Sequence, residues 1–136
     1  MFLLVDALLV FPSLPPEFER REMELQTVEA AARVPDDGLT LIDDTSLAIR
    51  VGGRPMLLDI YHWKLMVESN AIDPAPLVAA LELGKVDRVV YRARAPRALD
   101  PGDLGHLFGD EVAEAIIGNY RVESVVLGHV IAVPKP

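Results

Sequence analysis

The sequence predicts an α/β fold: a three-layer-type sandwich with a short, mostly parallel central sheet and a C-terminal antiparallel β-hairpin. Three observations carry this. Short β-rich runs alternate with helix-forming segments between residues 39 and 93, the spacing of βαβ units. Two further β-rich runs near the C-terminus are separated only by Leu127 and Gly128, the length of a tight hairpin. Of the 136 residues 51% are hydrophobic and 25% charged, enough apolar side chain for one compact core.

The elements follow in order. Residues 17–33, EFERREMELQTVEAAAR, are rich in helix formers, with Phe18, Met23, Val28 and Ala32 available for an apolar stripe. The turn-forming cluster at residues 34–38 ends that helix, and Leu39–Ile42 is a short apolar run suited to a buried strand. After Asp43 and Asp44, Thr45 or Ser46 is placed to cap a helical turn that Gly52-Gly53 breaks, and residues 55–60 supply a second strand. Residues 61–69 read as a helix around Trp63, Leu65 and Met66. Asp73-Pro74 opens the next helix over residues 75–83, with Gly84 as its terminator. Residues 86–93 form the third strand, and a basic, proline-containing loop follows to residue 101. A helical region from Asp100, interrupted near Gly105 and Gly109, continues over residues 111–117 and ends at Gly118. The hairpin strands are residues 120–126 and 129–133, and all of residues 17–136 form a single α/β domain.

The N-terminal segment, residues 1–16, stands apart. Nine of the ten residues from 2 to 11 are apolar, with Asp6 the exception, and prolines follow at 12, 15 and 16. This is about half the ~20 residues needed to cross a bilayer. Three readings are open: a buried strand or short core helix, a signal peptide lacking a basic start and a cleavage site, or the trailing end of a transmembrane helix.

Composition narrows the function classes. With 13 Lys and Arg against 21 Asp and Glu the net charge is −8, which offers no broad footprint for a phosphate backbone, so no nucleic-acid partner is expected. The absence of cysteine removes disulfides, thiol nucleophiles and thiolate metal sites. No dinucleotide fingerprint or phosphate loop is present, and no serine has a nucleophile-elbow context, so no cofactor is expected. His106 and His129 lack a second ligand at metal spacing, which leaves no metal site and makes both structural.

The candidate ligand-binding residues are Asp43, Asp44, Asp59, Tyr61 and His62. Parallel strands over residues 39–42 and 55–60 would bring all five to carboxyl ends, where open α/β sheets place their ligands. Carboxylates beside a histidine suit acid–base work or a hard cation, while the simpler role for such Asp residues is capping the helices that follow. Lys85, Arg88, Arg92, Arg94 and Arg97 form a local basic patch suited to lipid headgroups or a phosphorylated ligand, or a solvated loop.

Residues 24–133, about four-fifths of the chain, carry an ordered set of features. A strand ends in Asp43-Asp44; the turn SLAIRVGGRP leads to a second strand ending at Asp59; an aromatic helix and a D-x-x-x-L-x-x-A-L helix starting at Asp73 precede VDRVVYRA; and the hairpin of NYRVESVVLGHVIAVPKP ends in proline. This order resembles the soluble C-terminal region of bacterial multi-pass membrane glycosyltransferases of the lipid-linked-sugar type, the superfamily of protein mannosyltransferases and aminoarabinose transferases. The resemblance implies a non-catalytic extracytoplasmic accessory module that assists acceptor or lipid-linked donor binding. Residues 1–16 would then be the end of the last membrane helix and the membrane contact. Enzymes of that type hold their catalytic acids on loops between upstream membrane helices, and no part of this chain matches those loops, Asp6 included. No residue is assigned as catalytic. The alternatives are a stand-alone small α/β binding or oligomerising protein, cytoplasmic and forming a homo-oligomer, and a small hydrolase or metal-dependent enzyme built on Asp43, Asp44, Asp59 and His62.

Overall fold

A computed structural model describes residues 16–57, 59–94 and 98–136. The reading of residues 1–16 as a membrane-helix end lies outside these, except for Pro16, the first residue of a helix. In chain order the elements are α1 (Pro16–Ala32), β1 (Leu39–Ile42), α2 (Thr45–Arg50), β2 (Arg54–Pro55), α3 (Ile60–Glu68) and α4 (Ala75–Glu82). They continue with β3 (Arg88–Arg92), α5 (Pro101–Phe108), α6 (Asp110–Asn119), β4 (Tyr120–Val126) and β5 (His129–Pro134). The strands form one sheet in the order β2-β1-β3-β5-β4. β2, β1 and β3 are parallel, and β5 and β4 add antiparallel to the β3 side.

Alternation along the strands sends neighbouring residues to opposite faces, and both faces are covered. Leu41, Val89, Tyr91, Val130 and Ala132 pack with Trp63 of α3, Leu77 and Leu81 of α4, Leu104 and Phe108 of α5, and Val112 and Ile116 of α6. On the other face Ile42, Val90 and Ile131 pack with Leu25, Val28 and Ala32 of α1 and with Leu47, Ala48 and Val51 near α2. This is the three-layer α/β sandwich with a mostly parallel core and a C-terminal antiparallel pair that the strand–helix alternation predicts. Arg50 ties the two helices of the second face together through a two-armed pair with Glu22, at 2.7 and 2.8 Å.

Several local expectations differ from the structure, among them the interruption near Gly105, which lies inside α5 while the break comes only at Gly109. The buried stripe of α1 is Leu25, Val28 and Ala32, whereas Phe18 and Met23 face outward. The expected second strand over residues 55–60 shortens to Arg54–Pro55. The Arg54 and Met56 amides bond to the Gly38 and Thr40 carbonyls, which leaves the missing N–H of Pro55 on the outer side of an edge strand. The chain then leaves the sheet, and Ile60 begins α3. The cap of α2 is Asp44, not Thr45 or Ser46; its side chain accepts the Ser46 and Leu47 amides at 2.9 and 3.2 Å. Gly118 lies inside α6, which runs on to Asn119 and passes directly into β4.

Two glycines do have conformational work. Gly52 and Gly53 take φ of +87° and +71° in the turn between α2 and β2, and a Cβ on Gly53 would stand 2.5 Å from the Gly38 carbonyl oxygen. The β4–β5 turn is formed by Leu127 and Gly128, both at positive φ (48° and 79°), as a primed hairpin turn requires.

These contacts generate two stability predictions. Gly53→Ala meets both a backbone clash and a disfavoured φ, and is expected to lose at least about 1–3 kcal/mol, whereas Gly118→Ala, in an exposed helical position with open space, should gain up to about 1 kcal/mol. Urea unfolding of the two variants checks both signs. Thr40 is fully buried at the centre of β1 and its hydroxyl has no hydrogen-bond partner among the described residues. Thr40→Val removes that unmet polar group and should raise stability by about 1 kcal/mol, read as a higher urea midpoint at unchanged slope.

Candidate functional site

The chain leaves the carboxyl ends of β1 and β3 in opposite directions. After β1 it passes to α2 on the α1 face, and after β3 it passes to α5 on the other face. A crevice opens where such connections part, and in open α/β sheets ligands bind at that switch point. Asp43 stands there. Its amide donates to the Val90 carbonyl (3.1 Å), and its Oδ2 accepts the Arg92 amide (2.9 Å) one step beyond the last β1–β3 pair. Its Oδ1 is buried and has no hydrogen-bond partner among the described residues. Burial pushes the Asp43 carboxyl above its ordinary range. The Arg92 amide and His129 oppose that shift, and Asp44 adds to it.

Asp43 separates two grooves. One, of about 430 Å³, is lined by Arg21, Asp43, Asp44, Thr45, Ser46, Arg92 and His129. Arg21 reaches from α1 to pair with Asp44, which is already engaged as the cap of α2. Arg92 and His129 face each other in the antiparallel register of β3 and β5. His129 is almost wholly buried, with Nδ1 3.2 Å from the Leu127 carbonyl oxygen. The second groove, of about 330 Å³, is lined by Asp43, Ile60, Tyr61, Lys64, Leu65, Glu68, His106 and Leu107, and is the more apolar of the two. Tyr91 points its hydroxyl, buried and without a hydrogen-bond partner among the described residues, toward the same end of the sheet. Burial raises that phenol, the Asp100 backbone opposes the shift, and the charges of Asp103, Asp100 and Asp43 reinforce it.

The structure therefore brings together part of the expected set. Asp43 and Asp44 share the polar groove, and Asp43 and Tyr61 share the apolar one. Asp59 and His62 form a separate pair. Asp59 caps α3 by accepting the His62 amide (3.0 Å) and meets the His62 ring Nδ1 at 2.6 Å, with both side chains exposed. The hydrogen bond from the His62 ring, followed by that from its amide, holds the Asp59 carboxyl below its usual range. Neither residue lines either groove. The basic patch divides as well. Lys85 and Arg88 belong to the amino end of β3, where Arg88 lies 3.9 Å from Glu123, and Arg92 and Arg94 to its carboxyl end. A five-residue strand sets its ends ~13 Å apart. Arg97 lies outside the described residues.

Sequence reasoning missed Arg21, Arg92 and His129 as members of one site. Arg92 and His129 each stand at the end of a predicted strand, so the β3–β5 register would have joined them. Nothing local announces Arg21. Among the described residues no group of three or more acidic or histidine side chains is placed to hold a metal ion, and no helix is long and apolar enough to cross a membrane. Comparison with protein-family models, curated proteins and solved structures finds no match to this chain.

The electrostatics of Asp43 predict a pH dependence. A carboxyl raised by folding is protonated in both states at low pH, and it withdraws stability as the pH rises through its folded value. Asp43→Asn keeps an acceptor for the Arg92 amide and removes the buried charge. The variant should be more stable than the parent near pH 7, and the advantage should fade as the pH falls into the ordinary carboxylate range near 4. Urea titrations across that interval measure the difference; an advantage independent of pH would show that folding does not shift the Asp43 carboxyl.

Proposed function

We propose that this domain is a non-catalytic extracytoplasmic module of a membrane glycosyltransferase-like protein, and that its switch-point crevice helps to hold the acceptor or the lipid-linked sugar donor. The observation that carries the reading is the position of Asp43-Asp44. The acidic pair that anchors the resemblance stands at the crevice between β1 and β3, beside the guanidinium groups of Arg21 and Arg92. Arginine forks suit phosphate oxygens, and carboxylates beside them suit sugar hydroxyls. The apolar groove alongside, with Tyr61 and Leu65 on its wall, provides the less polar surface that sugar faces and lipid chains favour. The carboxylates are already engaged, Asp44 as cap and ion-pair partner and Asp43 as amide acceptor, which holds the walls of the crevice in place.

The remaining features of the resemblance have local structural roles. Gly52-Gly53 forms the turn into the edge strand, Asp59 caps the aromatic helix, and Asp73 accepts the Ala75 amide (2.9 Å) at the start of α4. A stand-alone binding protein that forms a homo-oligomer is the second reading. It is favoured by the exposed apolar side chains of Tyr61, Leu65 and Met66 on α3.

Fractionation of the natural gene product tests the first reading. The product should stay with the membrane pellet through carbonate extraction, and alkaline phosphatase fused after residue 136 should be active, as that enzyme is only outside the cytoplasm. A carbonate-soluble product, or a fusion active only with a cytoplasmic reporter, would overturn it.

A further inference from the structure

The direction of α1 gives the domain an orientation. Arg21, in its second turn, pairs with Asp44 beyond the carboxyl end of β1, and past the other end of the helix the Val34 amide donates to Val51, just before the turn into β2. Seventeen residues at ~1.5 Å each let α1 run ~25 Å from the carboxyl edge of the parallel strands to their amino edge. The apolar run at residues 2–11 lies just before Pro16, so the chain reaches the domain at the carboxyl edge.

That same edge presents exposed apolar side chains from three separate elements. Phe18, 55% exposed, lies one turn before Arg21. Tyr61, 71% exposed, borders the groove beside Asp43. Leu127, 53% exposed, tops the β4–β5 turn, whose Gly128 carbonyl accepts the Ala93 amide just past β3. Arg20 and Arg92 line a shared surface with Arg21, Glu17 and Glu24 at this edge; Glu24 lies 3.9 Å from Arg21, and neither the Arg20 nor the Arg92 guanidinium has an ion-pair partner among the described residues. The nearby carboxylates of Asp44 and Asp103 are paired with Arg21 and Arg94. Aromatic and aliphatic tips beside unpaired arginines match the headgroup boundary of a bilayer, where rings and methyl groups enter the acyl region and guanidinium groups meet phosphate.

We propose that the carboxyl edge of the sheet is a lipid-facing surface: Phe18, Tyr61 and Leu127 dip into the headgroup boundary, Arg20 and Arg92 contact lipid phosphates, and the Asp43 crevice opens toward the bilayer. The inference rests on the membrane attachment proposed above and adds which end of the domain faces the lipid. A crevice with that orientation meets a lipid-linked sugar at the depth where its phosphate lies.

The cysteine-free sequence makes the test direct. Single cysteines replace Phe18, Tyr61 or Leu127 in the full 136-residue chain, with Leu83→Cys as the control. Leu83 is 68% exposed and ends α4 at the opposite edge, where the following Gly84 lies against Pro134. Each is labelled with an environment-sensitive fluorophore and mixed with vesicles of phosphatidylcholine and phosphatidylglycerol, with or without spin-labelled lipid. Labels at 18, 61 and 127 should shift to the blue and be quenched by the spin-labelled lipid, and the label at 83 should do neither. Arg20→Gln and Arg92→Gln should each lower the ratio of contacting to non-contacting domain, read at position 127, by about fivefold.

Quenching at 83 equal to that at 127, or none at 18, 61 and 127, would overturn the orientation. Unchanged quenching in the arginine variants would overturn the phosphate contact. A membrane-bound natural product whose carboxyl-edge labels stay unquenched defeats this inference alone. A carbonate-soluble natural product with quenched labels defeats the proposed function and leaves the surface as a peripheral lipid contact.

Discussion

Between β1 and β3 the ladder of three paired positions is closed by the Asp43 amide on Val90 and the Asp43 carboxylate on the Arg92 amide. These two strands have no wet face, because Leu41 and Val89 go into one apolar layer and Ile42 and Val90 into the other. A parallel pair without a helix layer on each side would leave these side chains in water. The layers and the crossover connections follow from enclosing that pair. The crevice has the same origin: chains that leave adjacent parallel strands for opposite faces part at the carboxyl ends and leave a space.

Asp43 sits where closing the ladder and lining the crevice conflict. One carboxylate oxygen continues the β1–β3 hydrogen bonding, and the other is buried without a partner. Burial opposes its ionisation, and the Arg92 amide and His129 relieve only part of that opposition. Arg21 and Asp44 do the quieter work beside it, since their pair joins α1 to the start of α2 and keeps one wall of the groove in place. At the far end of the sheet one polar group is settled and another is not, since Arg88 Nε is buried without a hydrogen-bond partner among the described residues. The Tyr120 hydroxyl donates to the Val86 carbonyl at 2.8 Å, and burial is the main cause that pushes its phenol up to about 12. Asp43 and Tyr91 are the groups left unpartnered at the carboxyl edge.

Much of this was legible residue by residue. Leu39–Ile42 reads as a buried strand because four consecutive apolar or β-branched residues lie between turn clusters, and the structure gives it those bounds. The hairpin was legible because only a two-residue turn fits between its β-rich runs, and Leu127-Gly128 adopts the positive φ values such a turn needs. Residues 55–60 misled because an apolar run of that length looks the same whether it continues a strand or crosses the end of a sheet into a helix. Gly118 misled for a related reason. Glycine is a common helix terminator, but in α6 it lies on an exposed face, and the helix ends only where Tyr120 turns extended to join β4. Asp59 was read as the end of the expected second strand and instead caps α3, and the local hydrogen bonds between Asp59 and His62 satisfy them without reaching the crevice.

The sequence by itself determined the α/β class, the order of its elements, the helix starts at Asp73 and Asp100 and the position of Asp43-Asp44 at the end of a buried strand. These depend on periodicity, turn chemistry and side-chain caps, which act over a few residues. Only the tertiary structure decided that β3 lies between β1 and β5, that Arg92 faces His129, and that Arg21 reaches Asp44 from a helix 23 positions earlier. Those pairings depend on which strands share an edge and which face each helix covers. Burial of the whole apolar surface sets that choice, because no short stretch of chain contains both partners.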